Sequence, residues 1–245
     1  MEKEITITDF SKMPEGVCVF GYDQEYEGIR PVIFNIGEKE KGLPEDYLGD
    51  IKPFIRVKFK LIESQPSPPH TEDWLVDKNY QPKIMGHLSG NERKEFLEKI
   101  SYDSIKTADW GTEIHLYLDK REKNIPYIKP GEGKRSIITI KPKNISFIEY
   151  SEQADKLGKY NYRITFSDMI GDDLSITDLA VREYCDNLRD QGKSCGFIGA
   201  ELQRKLNQND VFLRIGAGRP FTPSETNEKF CFLFVTGIYS FPDYK

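Results

Sequence analysis

Histidine and cysteine are scarce in this 245-residue chain, which has three of the first and four of the second. Cys18, Cys185, Cys195 and Cys231 lie far apart with no Cys-x-x-Cys, and His70, His87 and His115 complete no zinc-like spacing. The cysteines therefore read as free thiols acting as small buried hydrophobes. No apolar run approaches the roughly 18 residues of a membrane span. The opening residues 1–5 lack the basic-then-apolar pattern of a secretory signal. A cytoplasmic protein with no membrane contact is expected. Positive charge is also in deficit, with 35 Lys and Arg against 40 Asp and Glu. Any nucleic-acid contact must then come from a local stripe rather than a basic domain. Gly-x-Ser-x-Gly, a Walker lysine and His-Glu-x-x-His are all missing, so the sequence points to no cofactor and no familiar catalytic site.

What the chain does have is short alternating strands. Residues 4–8, 16–21 and 30–36 read as three strands, 54–62 as a fourth and 73–76 as a fifth, with one helical turn at 45–48. Ser89 and Glu92 fit a capping box ahead of Phe96, Leu97 and Ile100. Another strand is expected near 114–118. The second half repeats the pattern: strands at 136–140, 145–150 and 160–166, a helix capped by residues 175–178 with Val181, Tyr184, Cys185 and Leu188 inward, a short helix at Ile198, Leu202 and Leu206, and two closing strands. In the first closing strand Val211, Leu213 and Ile215 share one face, while residues 230–236 are apolar on both.

Three strands, a helical insertion and two strands is the connectivity of an oligonucleotide/oligosaccharide-binding (OB) barrel. The expected fold is mainly β with short helices: two tandem OB-like five-stranded Greek-key barrels, 1–125 with a helical extension and 126–245. A single larger β-sandwich is the competing architecture. Residues 68–74, 211–216 and 232–244 resemble the prokaryotic family of dual-OB domains. That resemblance covers most of the chain. It implies two barrels and a link to nucleic-acid processing or defence, and it brings no reaction and no catalytic residues.

The candidate binding residues are basic or aromatic. Arg56, Lys58 and Lys60 alternate with Ile55, Val57, Phe59 and Leu61, so they project on one face about 6.6 Å apart, near the stride of a phosphate backbone. The competing account is a solvated strand face. Lys134 and Arg135, followed by Lys141 and Lys143, form a second basic cluster. Tyr162, with Tyr160, could stack bases beside Arg163, though the tyrosines share a face with Ile164 and Phe166 and so suit a core. Arg214 and Arg219 sit in an apolar hairpin, where they could clamp an anion; alternatively Arg214 pairs with a carboxylate such as Asp243. His70, Glu72 and Asp73 suggest either an acid–base cluster or a turn locked by side-chain hydrogen bonds. Asp168, Asp172 and Asp173 miss the calcium-loop pattern.

The function expected is a non-catalytic module that binds single-stranded nucleic acid, with a helicase, nuclease or ATPase as partner protein. A protein-interaction subunit without nucleic-acid contact is the alternative.

Overall fold

The computed structural model describes residues 1–34, 41–154 and 156–245. Its first half contains β1 (Glu2–Lys12), β2 (Val17–Tyr22), β3 (Gly28–Val32), α1 (Glu45–Leu48), β4 (Ile55–Ser64) and β5 (Asp73–Val76). β1, β2 and β3 meander antiparallel. β4 returns to pair antiparallel with β1, and β5 fills the gap, antiparallel to β4 and parallel to β3. The order β1-β2-β3-β5-β4-β1 is a closed five-stranded ring, which leaves no pairing edge inside it. Strand alternation puts Ile5, Ile7, Val19, Val57, Phe59 and Leu61 inside, each at most 1% exposed. The expected strand at 30–36 is seen as β3; residues 35 and 36 lie outside the described residues.

β6 (Lys83–His87) adds to the outer edge of β4. α2 (Gly90–Lys99) begins on the expected capping box: the Glu92 amide donates to Ser89 Oγ at 3.4 Å, and the Ser89 amide to Glu92 Oε2 at 2.6 Å. The apolar stripe of α2 is a wedge between the two halves of the molecule. Phe96 and Ile100 pack on Phe20, Tyr22 and Ile137, while Leu97 meets Phe54 and Phe212.

The second half comprises β7 (Ser101–Tyr102), β8 (His115–Leu118), β9 (Asn124–Ile128), β10 (Ile137–Ile140), β11 (Ile145–Gln153), β12 (Lys156–Phe166), β13 (Leu174–Ile176), α3 (Leu179–Asp190), α4 (Cys195–Asn207), β14 (Asp210–Ala217) and β15 (Cys231–Phe241). β10 and β11 are successive pieces of one bent strand: β10 pairs with β14 and β11 with β12. Counted as one strand, they give the order of the first barrel again, with β13 parallel to β15 and the helices between β13 and β14. Ile138, Ile164, Ile176, Leu213 and Val235 form its centre under Val181, Ile198, Leu202 and Leu206. The fold is the expected pair of OB-type units.

Three details differ from the sequence reading. β13, only three residues long, is the true third strand, and the cap of α3 is Asp178 rather than the box at 175–178. Its Oδ1 accepts the Ala180 amide at 2.8 Å, and its Oδ2 the Ile238 amide at 2.8 Å. A boundary at 125/126 falls inside β9. Because β7 pairs with β10 and β9 with β15, the hairpin β8–β9 belongs to the second unit, which starts near residue 101.

Candidate functional site

The longest-range polar contacts in the chain join the two barrels. Arg214, on β14 facing away from its own core, is fully buried. Its Nε donates to Asp9 Oδ2 at 2.9 Å, and its Nη1 to Tyr22 Oη at 2.8 Å and Thr139 Oγ1 at 2.6 Å. Asp9 is turned outward on β1 by the bulge between Ile7 and Asp9, and also accepts the hydroxyls of Thr8 at 2.7 Å and Thr236 at 2.6 Å. A buried guanidinium and carboxylate are tolerable only with this degree of mutual hydrogen bonding. The burial cost is offset in the titration of Arg214 by Asp9 first, which holds it charged.

A second seam runs along β3, β5 and the loop before β5. Glu72 accepts the Ser136 amide at 2.6 Å and its hydroxyl at 3.1 Å. Burial raises the Glu72 carboxyl against these bonds and the nearby Arg30. His70 is 1% exposed and bonds the Ala217 carbonyl through Nε2 at 3.0 Å. Burial, then Arg30 and Arg219, push its pKa well below the usual value, so it is neutral with Nε2 protonated. Asp73 Oδ1 takes Arg30 Nε at 2.5 Å, and its Oδ2 meets Arg219 Nη2 at 2.6 Å. His70, Glu72 and Asp73 are thus neither an acid–base centre nor a purely local turn. They tie the first barrel to the second.

OB folds bind ligands on the face of strands 2 and 3 and in the loops joining strands 1–2 and 4–5. In the first barrel part of that face is taken: Tyr22 of β2 and the 4–5 loop both meet the second barrel. What stays open is a groove of about 630 Å³ where the 1–2 loop of the first barrel (Lys12, Met13, Pro14) meets the 4–5 loop and outward face of the second. Phe34, Phe221, Phe232 and Phe234 line it, with Lys12, Arg30, Lys41 and Arg219. Among the described residues no carboxylate lines this groove. The inter-barrel groove of about 690 Å³ at Phe54 and Tyr239 carries Asp50, Asp178, Glu183 and Asp243, and burial lifts Asp178 to about 6. A third, at Tyr22 and Phe96, carries Glu4, Asp23, Glu92 and Glu95.

The sequence-predicted residues scatter. Arg56, Lys58 and Lys60 do project outward from β4, but β1 lays carboxylates beside two of them: Arg56 lies 3.4 Å from Glu4, Lys58 lies 3.7 Å from Glu2, and Lys60 pairs with Asp77 at 2.8 Å. The face is charge-balanced. Lys134 pairs with Asp109 at 2.5 Å, and Arg135 donates to Tyr102 at 3.1 Å. Arg163 is held by Asp173, which also takes Lys123. Tyr162 is buried under α3 with its hydroxyl on Asp186 at 2.7 Å, so it cannot stack a base. Arg214 cannot clamp a ligand either, being wholly interior, and its partner is Asp9 rather than Asp243. Arg219 alone reaches the groove, its guanidinium 5.2 Å from the Phe34 ring. Sequence reasoning missed Lys12, Arg30, Phe34, Lys41, Phe221, Phe232 and Phe234. The available signal was β15 itself, whose outward Phe232 and Phe234 were read as a second core face. Among the described residues no group of three His, Cys, Asp or Glu could hold a metal ion, and no helix is long and apolar enough to cross a membrane.

Comparison with curated proteins and with solved structures finds no match. The family model described as dual OB-containing domain matches residues 3–238, spanning both barrels and the α2 wedge. The chain belongs to the dual OB-containing domain family.

Proposed function

We propose that this chain is a non-catalytic module that binds single-stranded nucleic acid in the groove between its barrels. The observation that supports this most is the composition of that groove: four phenylalanines and four cations, with no carboxylate among the described residues that line it, in a chain of net charge −5. Aromatic faces stack bases at about 1–3 kcal/mol each, and flanking cations follow the phosphates. The loops that build the groove are those OB folds use for ligands. A helicase, nuclease or ATPase in a prokaryotic processing or defence assembly would supply the reaction that this module does not.

Fluorescence anisotropy with a labelled oligothymidylate tests the reading. Affinity should fall with salt, by about 0.7 log units per neutralised phosphate for each log unit of salt. Phe221→Ala, at a ring 59% exposed, should weaken binding about tenfold or more without lowering the melting temperature. Absence of binding at low salt, or an unchanged affinity in the variant, counts against it.

One observation favours a protein-binding role instead. β8 pairs only with β9 among the described strands, and it exposes Leu116 and Leu118 at 49% and 62%. A free edge with apolar side chains suits strand addition by a partner. Leu116→Lys should then abolish partner capture while leaving oligonucleotide affinity alone.

A further inference from the structure

The aromatic wall of the groove continues beyond it. Three rings stand in a row across three strands: His115 of β8 is directly opposite Tyr127 of β9, and Tyr127 is directly opposite Phe232 of β15. Residues opposite one another on antiparallel strands share a face of the sheet. The next residues along, Ile128 and Cys231, are both 0% exposed and take the other face into the core. The row is therefore turned outward, and its three rings are half-buried. Ring centroids lie 5.4 Å apart from His115 to Tyr127 and 6.3 Å apart from Tyr127 to Phe232. Tyr117, two residues along β8 on the same face, lies 5.7 Å from Phe232. Phe232 also lines the groove, so row and groove share a ring.

The loop between β14 and β15 joins the two a second time. Phe221 and Phe230 exchange backbone hydrogen bonds at 3.0 and 2.9 Å. That pins Phe221 in the groove, 6.4 Å from Phe232, and Phe230 beneath the row, 4.6 Å from Tyr127. It is the 4–5 loop of the second barrel, one of the loops that OB folds give to ligands. Charge distinguishes the two stretches. Cations line the groove, whereas burial and then the carboxylates of Glu225 and Asp119 push the Tyr117 hydroxyl up. Tyr117 thus offers a ring face to a base and repulsion to a phosphate. We propose that a bound single strand leaves the groove across this row and stacks further bases on Tyr127, Tyr117 and His115, an inference that rests on the groove being the nucleic-acid interface. The groove then holds phosphates and bases, and the row holds bases alone. A duplex, whose base faces are covered, gains nothing from the row.

The test uses the intact protein and two labelled octamers of equal charge: octathymidylate, and the same backbone with thymines in one half and abasic sites in the other. Tyr127→Ala with His115→Ala should weaken octathymidylate binding about tenfold. The half-abasic octamer should bind as before, and the salt slope of either strand should not change, because no phosphate contact is lost. Tyr127→Phe, which keeps the ring, should match the native protein. Equal weakening of both octamers makes the rings a support for the groove and overturns the row as a contact; so does no weakening of either. Native protein that binds neither octamer overturns the groove as well. Photocrosslinking with 5-iodouracil along the octamer reads the same contact in the native protein. Attachment at Tyr127, Tyr117 or His115 supports the row, and attachment confined to groove residues overturns it. The crosslink needs no variant, so a double variant that fails to fold leaves the test whole.

Discussion

Replacing Arg214 by methionine should unsettle both barrels at once, because the side chain belongs to both. The substitution keeps most of the apolar stem and removes three donated hydrogen bonds, to Asp9, Tyr22 and Thr139. It leaves the Asp9 carboxylate fully buried with only the hydroxyls of Thr8 and Thr236 to serve it. Breaking a buried pair from one side costs about 3–5 kcal/mol, chiefly through the stranded charge. Asp9→Asn in the Arg214→Met background should recover part of that loss, giving a coupling of about 2 kcal/mol in a double-mutant cycle. The chain offers its own assay. It has two tryptophans, Trp74 packed on the first core and Trp110 buried in the second. Trp110→Phe leaves a probe of the first barrel and Trp74→Phe a probe of the second. In urea the two probes should report coincident transitions. Arg214→Met should lower both midpoints, each compared within its own tryptophan background. A shift confined to the Trp110 probe, or a loss below about 1 kcal/mol, would refute the account of the seam.

Two further outcomes follow from the same geometry. His70 is held neutral, so its folded pKa lies below that of the unfolded chain and the unfolded state takes up the proton first as pH falls from 6.5. Its contribution to stability is present above pH 6.5 and is lost on acidification, with a slope of up to about 1.4 kcal/mol per pH unit. Asp178, lifted to about 6 by burial, acts in the opposite direction because it gains its proton more readily when folded. The difference between native protein and His70→Gln in urea titrations at pH 7.5 and 5.5 therefore isolates the histidine, and an equal pH dependence in both would exclude its part in the seam. Ser89→Ala removes one half of the α2 capping box and should cost about 1 kcal/mol, read as a lower melting temperature.

Local features of the fold were legible where chemistry was local. The turn at 45–48, the strand at 73–76 and the capping box of α2 each depend on neighbours within four residues, and the structure places them where the pattern does. β13 escaped because three residues carry too little alternation and because the residues around it imitate a helix start. The seam was hidden for a different reason. Asp9 and Arg214 are 205 residues apart, so nothing in the spacing of either points to the other. The same holds for Arg56, Lys58 and Lys60, whose alternation is plain but whose Glu2 and Glu4 neighbours come from another strand by register. Phe232 and Phe234 looked like core because apolar residues on both faces of a strand usually are. In β15 the second face opens on the groove instead.

The central claim is that the inter-barrel groove, and not the basic face of β4, meets the nucleic acid. The most direct measurement compares the salt dependence of oligothymidylate affinity in two variants of the intact chain. Lys12→Gln in the groove should flatten the log–log slope by up to about 0.7, one phosphate's worth, whereas Lys41 is already paired with Glu15 at 3.2 Å. Arg56→Gln, Lys58→Gln and Lys60→Gln together should leave the slope unchanged, because Glu4, Glu2 and Asp77 already neutralise that face. A flattened slope in the β4 variant with the groove variant unaltered would contradict the account.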